Sequence, residues 1–258
     1  MAWRVYAAAA IGKSHIDNGT PCQDAFASRV TGETLVACVC DGAGSQPLSQ
    51  EGSRLLSDQV VELLSGQLAQ QPLLPQAELE PFRASVVSVV GAVRAMLQKK
   101  AQAEGAMLAN FSATLVGVIA NPTGGYFFHV GDGVGVACIG SAASAGGDAA
   151  TEIISLPENG EYANETYFVS GEEWQEHLHV TAIAGPIREL ALMSDGAMPF
   201  VMAKDNTGLF RPFMDPVSGF LASVSEVEGS KALAATLEDA RTYNITGDDK
   251  SLLIAQSS

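Results

Sequence analysis

Apolar residues gather in short runs early and late in the chain, and the spacing between those runs switches from a period of two to a helical one. WRVYAAAAIG at 3–12, DAFASRV at 24–30 and TLVACVC at 34–40 have the length and composition of strands, and the turn Thr31, Gly32, Glu33 joins the last two into a hairpin. From Leu48 the pattern changes. Leu48, Leu55, Leu56, Val60, Leu63 and Leu64 fall on one helical face, with Ser45 or Ser49 as the cap. After the proline-marked QQPLLP, residues 82–104 predict a second long helix with Val86, Val89, Val90, Val93 and Leu97 on its buried stripe. FSATLVGVIA, YFFHVG and VGVACIG return to strands, the first two joined through NPTGG, and SAASAGGDAA at 141–150 predicts a mobile loop. TEIISL, TYFVS, HVTAIA and ELALMS are further strands, 210–223 and 229–242 are helical, and GDDKSLLIAQ is a closing strand. Antiparallel strands interrupted by pairs of helices imply sheets packed together and covered by helices, not a parallel fold.

The strand ends carry the chemistry. Asp41, Asp132, Asp195 and Asp249 each sit at or beside the end of an apolar run, and glycine follows three of them. Taken singly, an aspartate before glycine is a tight turn and nothing more. If strand ends from two sheets meet, however, the four acids converge. Carboxylates about 5 Å apart repel by about 3 kcal/mol per pair at an effective dielectric near 20. Few basic residues flank these positions, so the economical counter-charge is an oxygen-preferring divalent cation, Mg2+ or Mn2+.

Composition narrows the setting. A chain of 258 residues that is 47% hydrophobic and 17% charged supports a large core, and one domain over 1–258 is expected. The formal charge of -15 repels nucleic acid and anionic lipid, so neither is expected as a partner. Cys38 and Cys40 share one strand face and read as small buried hydrophobes. The apolar N-terminal run is too short to span a bilayer and has no basic region ahead of it, which makes a cytoplasmic setting the default. His177 and His179 form H-x-H beside Glu173 and Glu176, a pattern commoner on exposed strand edges than at metals. His129 reads as a packed sheet residue. Neither GAGS nor GDGVGVACIG fits a dinucleotide fingerprint, and no G-x-S-x-G occurs.

Five segments in order, GKSHIDNGTPCQDAF, VCDGAGS, SATLVGV with HVGDG, LMSDGAM and GDDKSLLI, resemble the motifs of the metal-dependent 2C-type Ser/Thr protein phosphatases, in particular the bacterial branch with a His and a Cys-Gln-Asp near the start. The resemblance spans about 12 to 255. It implies an α+β fold, a four-layer α-β-β-α sandwich, with a dinuclear Mg2+ or Mn2+ centre at one end. It also implies a phosphorylated protein as substrate, hydrolysed by water held between two metal ions. By that likeness Asp41 bridges both metals, the Gly42 carbonyl binds one, and Asp195 and Asp249 complete the other site. Asp24 orients water or helps bind an ion, and Asp132 matches an acid linked to a third metal. Departures are also present. Ala43 stands where many relatives carry a proposed histidine general acid, and Gly19 stands where an arginine often grips phosphate, leaving His15 and Arg54 as candidate substrate contacts. Pro199 and Lys250 depart from the pattern of a third metal site, so two ions are expected. A monomeric enzyme is the resulting expectation, and a catalytically weak scaffold that binds a phosphoprotein or regulatory partner is the alternative.

Overall fold

A computed structural model describes residues 3–70, 79–140, 151–157 and 166–257. The chain opens with β1 (Trp3–Ala10) and a short helix α1 (Lys13–Asn18), then forms the expected hairpin of β2 (Ala25–Thr31) and β3 (Thr34–Cys40). Two long helices follow, α2 (Ser49–Gln70) and α3 (Leu79–Glu104). Strands β4 (Leu115–Asn121), β5 (Gly124–Val130), β6 (Val134–Ile139), β7 (Thr151–Ser155), β8 (His179–Ala184) and β9 (Ile187–Met193) come next. The short α4 (Met198–Val201) leads into α5 (Arg211–Ser223) and α6 (Glu226–Leu237), and β10 (Lys250–Ser257) closes the chain.

Among the described residues these strands make two antiparallel sheets, ordered β1-β10-β9-β6-β7 and β2-β3-β4-β5-β8. β3 shows why they stack. Leu35, Ala37 and Val39 enter a core shared with Leu190, Leu192 and Leu253 of the other sheet. The alternate residues Val36, Cys38 and Cys40 face Leu56, Val60, Val86 and Val90 of α2 and α3. A strand buried on both faces has no polar side, and TLVACVC therefore reads as an unbroken apolar run. On the outer face of the first sheet, Val136, Ala191, Leu252 and Ile254 pack against Met214 and Leu221 of α5 and Leu233 of α6. The result is the four-layer sandwich, with the two cysteines of β3 fully buried as expected.

The structure departs from the sequence reading at four places. KSHIDN, to which the hydrophobic pattern assigned no element, is helical: it buries no residue, so it has no apolar periodicity to reveal it, and Gly19 ends it in the left-handed region at φ 68. TYFVS is not a strand. Thr166 makes only a bridge, and the segment is held beside the strand ends by the Val169 N–H, which donates to Ala113 O at 3.0 Å. The last helix begins at Glu226 because Ser225 and Glu228 form a reciprocal cap there. The short α4 had no counterpart in the pattern. The expected loop at 141–150 and most of QQPLLP lie outside the described residues. No described helix is long and apolar enough to cross a membrane.

Candidate active site

Pleating explains how acids arrive between the sheets. The inward row Leu35, Ala37, Val39 on β3 continues one step past the strand to Asp41, and the row Ala255, Leu253 on β10 continues through Ser251 to Asp249. Asp41 is fixed by exchange with Thr114: its N–H donates to the Thr114 hydroxyl at 3.1 Å, and its carbonyl accepts the Thr114 N–H at 2.8 Å. Gly42 then bridges to Ala113, and a Cβ there would meet Gln23 O at 2.6 Å and Ser49 O at 2.8 Å. Only glycine fits. Asp195 leaves the end of β9, Asp132 precedes β6, and Asp24 precedes β2.

Asp41 stands between Asp24 and Asp195, close enough to share a proton with either. Burial, and then the charges of those two neighbours, hold its pKa well above the usual carboxylate range. Burial likewise pushes Asp24 up to about 7, although Ser194 donates its hydroxyl to Oδ2 at 2.7 Å. Asp195 is raised by burial and further by Asp132 and Asp248. Among the described residues no three His, Cys, Asp or Glu side chains close into a ready-made metal cage. The acids instead meet in pairs, an arrangement that protons can neutralise.

Two acceptor atoms decide whether cations fit. Among the described residues Asp24 Oδ1 and Asp132 Oδ1 are buried without a hydrogen-bond partner, although Thr166 donates its hydroxyl to the other Asp132 oxygen at 2.6 Å. A buried, unpaired carboxylate oxygen is costly unless positive charge reaches it. The donor set is all oxygen, which suits Mg2+ or Mn2+. A cavity of about 180 Å³ opens over the cluster and is lined by His15, Asp41, Gly42, Asp195, Asp248 and Asp249. A larger one of about 630 Å³ adjoins it across Asp132, Thr166 and Asp195.

The sequence-based candidates separate here. Asp249 is already engaged: Oδ1 accepts the Gly12 N–H at 2.6 Å, and Oδ2 accepts the Gln23 N–H at 2.6 Å and lies 2.9 Å from His15 Nδ1. Its neighbour Asp248, missed in the sequence reading, is exposed at the cavity and acts electrostatically on Asp195. The doublet in GDDK was the available signal, but only the strand register tells its two acids apart. His15 also lines the cavity; a Cβ on Gly44 would lie 3.9 Å from its Nε2. Arg54 is exposed on α2 and lines neither cavity at the acids. Lys250 is fully buried, with Nζ 4.2 Å from the centroid of the Tyr243 ring, and desolvation lowers its pKa. It supplies positive charge near Asp249 and Asp24. His129 is buried, 3.2 Å from the Ser155 hydroxyl, and His177 stacks on Tyr167.

Comparison with known proteins agrees with this architecture. The chain is 26% identical over 263 residues to serine/threonine-protein phosphatase 3 of Escherichia coli (strain K12), covering 99% of this chain and 98% of that protein. Its fold is similar to that of PppA, a key regulatory component of T6SS in Pseudomonas aeruginosa, with TM-score 0.64, 16% identity, and 100% and 99% of the two chains covered. It also resembles the catalytic domain of the serine threonine protein phosphatase PstP, solved with 2 manganese ions, at TM-score 0.63 and 15% identity, covering 98% and 97%. The family model described as protein phosphatase 2C matches residues 11–238, and the chain belongs to that family.

Proposed function

We propose that the acids at the open end of the sandwich carry out the family's activity, metal-dependent removal of phosphate from serine and threonine in proteins. The observation that carries the assignment is the placement of Asp41 between two further carboxylates, beside buried acceptor oxygens that no described group satisfies. Asp41, the Gly42 carbonyl, Asp24, Asp195 and Asp248 would hold two Mg2+ or Mn2+ ions, with Asp132 at the margin. Bound there, the cations would lower the pKa of a water and neutralise charge building on the phosphoryl oxygens.

The protein's own groups do the rest. Thr114 fixes Asp41 from both backbone sides. Asp249 braces His15, so that its other ring nitrogen is left to meet the phosphate. His15 thus takes the substrate-contact role that Arg54, away from the cavities, does not fill. Residues 1–258 act as one catalytic unit on this reading, as a monomer, and four free cysteines fit the reducing cytoplasm.

The direct test is hydrolysis of p-nitrophenyl phosphate and of phosphoserine peptides with Mg2+, Mn2+ or a chelator. Turnover should require the cation and vanish on chelation. Turnover indifferent to chelation would remove the mechanism. A second measurement separates the two acids of the doublet. Asp248→Asn should weaken Mn2+ binding by about tenfold or more in calorimetry and leave metal-free melting unchanged. Asp249→Asn should instead lower metal-free melting, because three N–H groups lose their anionic acceptor.

A further inference from the structure

The strip Thr166–Phe168 borders the acid cavity and also a third cavity, of about 440 Å³. The walls of this third space include Tyr167, Phe168 and Trp174, with His177 and the carboxylates of Glu172 and Glu173. Its frame is held firmly. Tyr167 stacks on His177 with ring centroids 3.4 Å apart and planes 11° from parallel. Arg94 of α3 commits its guanidinium to the carbonyls of Ser170 and Gly171, at 3.2 and 3.3 Å, and Ser170 Oγ lies 2.7 Å from Ser112 Oγ. Glu172 and Glu173 are exposed, and among the described residues their side chains have no ion pair or hydrogen bond.

Aromatic walls with carboxylates at the mouth match a long cationic side chain. Trp174 is only 4% exposed and one face of Tyr167 is covered by His177, so the rings wall the space for the apolar stem of such a side chain, and the two exposed carboxylates meet its charge. An anionic side chain would meet two like charges there. The overall charge of -15 acts in the same direction on an approaching basic segment. We propose that this cavity is a subsite for a lysine or arginine of the phosphoprotein that flanks the phosphorylated residue. Thr166 and Phe168 line both spaces, which places the subsite next to the phosphate-binding cavity and within reach of a nearby residue of the same peptide. The proposal rests on the phosphatase reading and adds to it the character of the preferred sequence.

The test uses the Mn2+-loaded protein and phosphoserine peptides that differ only by Arg, Gln or Glu, placed in turn up to about four residues either side of the phosphoserine. At one or more positions Arg should raise kcat/KM over Gln by about tenfold, with Glu lower still. In the double variant E172Q/E173Q that advantage should disappear while p-nitrophenyl phosphate is cleaved at the unaltered rate. Equal kcat/KM for all peptides, or an Arg advantage that survives in the double variant, would overturn the subsite. If p-nitrophenyl phosphate itself were not cleaved, the phosphatase reading would fail instead. Fluorescence anisotropy of the same peptides would then still report the subsite, as tighter binding of the Arg peptide that the double variant loses; equal binding would reject it.

Discussion

Asp41→Asn should lower metal-dependent hydrolysis of p-nitrophenyl phosphate by about a thousandfold or more, and at the same time make the metal-free protein more stable. Both effects come from one position. Asp41 is the acid that Asp24 and Asp195 flank, so removing its charge removes the group best placed to face two cations at once. Without cations the same charge opposes folding. Asp24 titrates near 7 in the folded protein against an ordinary value of 3.8, so between those limits the folded state holds more protons than the unfolded chain. Stability of the metal-free wild type should therefore fall as pH rises from about 4 through about 7. Melting curves in chelator across that window test the sign. In Asp41→Asn the decline should be shallower, and Mn2+ should raise the melting temperature of wild type far more than of the variant. A variant with wild-type turnover would refute the assignment of Asp41.

Gly196→Ala should be strongly destabilising, because among the described glycines an added Cβ meets its shortest contact there. A Cβ at Gly196 would lie 1.9 Å from Asp249 O, with Asp248 Cβ at 3.2 Å; on the other side, a Cβ at Gly12 would lie 2.3 Å from the Asp248 carbonyl carbon. The backbone of the aspartate doublet thus threads between two glycines. Rigid main chain, not the end of a flexible side chain, blocks the extra methyl, so β9 and β10 must part where both supply acids. A loss of about 3 kcal/mol or more in denaturant unfolding is expected, together with weakened Mn2+ binding. Gly66→Ala, on α2 with nothing within 4 Å of the added carbon, serves as the control and should be neutral or slightly stabilising. Normal stability in Gly196→Ala would show that the turn can shift at little cost.

Legibility in the sequence followed burial. The strands buried on both faces and the long helices with apolar stripes announced themselves, because hydrophobic spacing reports which faces are covered. KSHIDN covers nothing, so its helix was invisible. TYFVS carries strand-like side chains, yet Thr166 and Phe168 serve cavities and Val169 alone is fully buried. An acid at a strand end followed by glycine was enough to single out Asp41, Asp132 and Asp195, which line one cavity. The doublet defeated that rule. Both of its acids line the cavity, and composition cannot say which is taken up by backbone N–H groups and which is left open, because pleating turns adjacent side chains opposite ways. Arg54, the other candidate substrate contact, lies exposed on α2 and outside both cavities at the acids, a placement that only the helix geometry reveals. The subsite residues Glu172 and Glu173 lie in a turn-rich stretch with no periodic signal at all.

Both sheets contribute to the cluster: Asp24 and Asp41 flank the ends of strands of one, Asp132, Asp195 and Asp248 the ends of strands of the other. Ions captured among them would act as rivets, adding to the apolar contact and the few hydrogen bonds, such as Ser194 to Asp24, that already join the two slabs. Metal supply would then govern endurance as well as turnover, since a starved molecule could gape at this end and offer its strand tips to proteases, whereas a loaded one would stay shut.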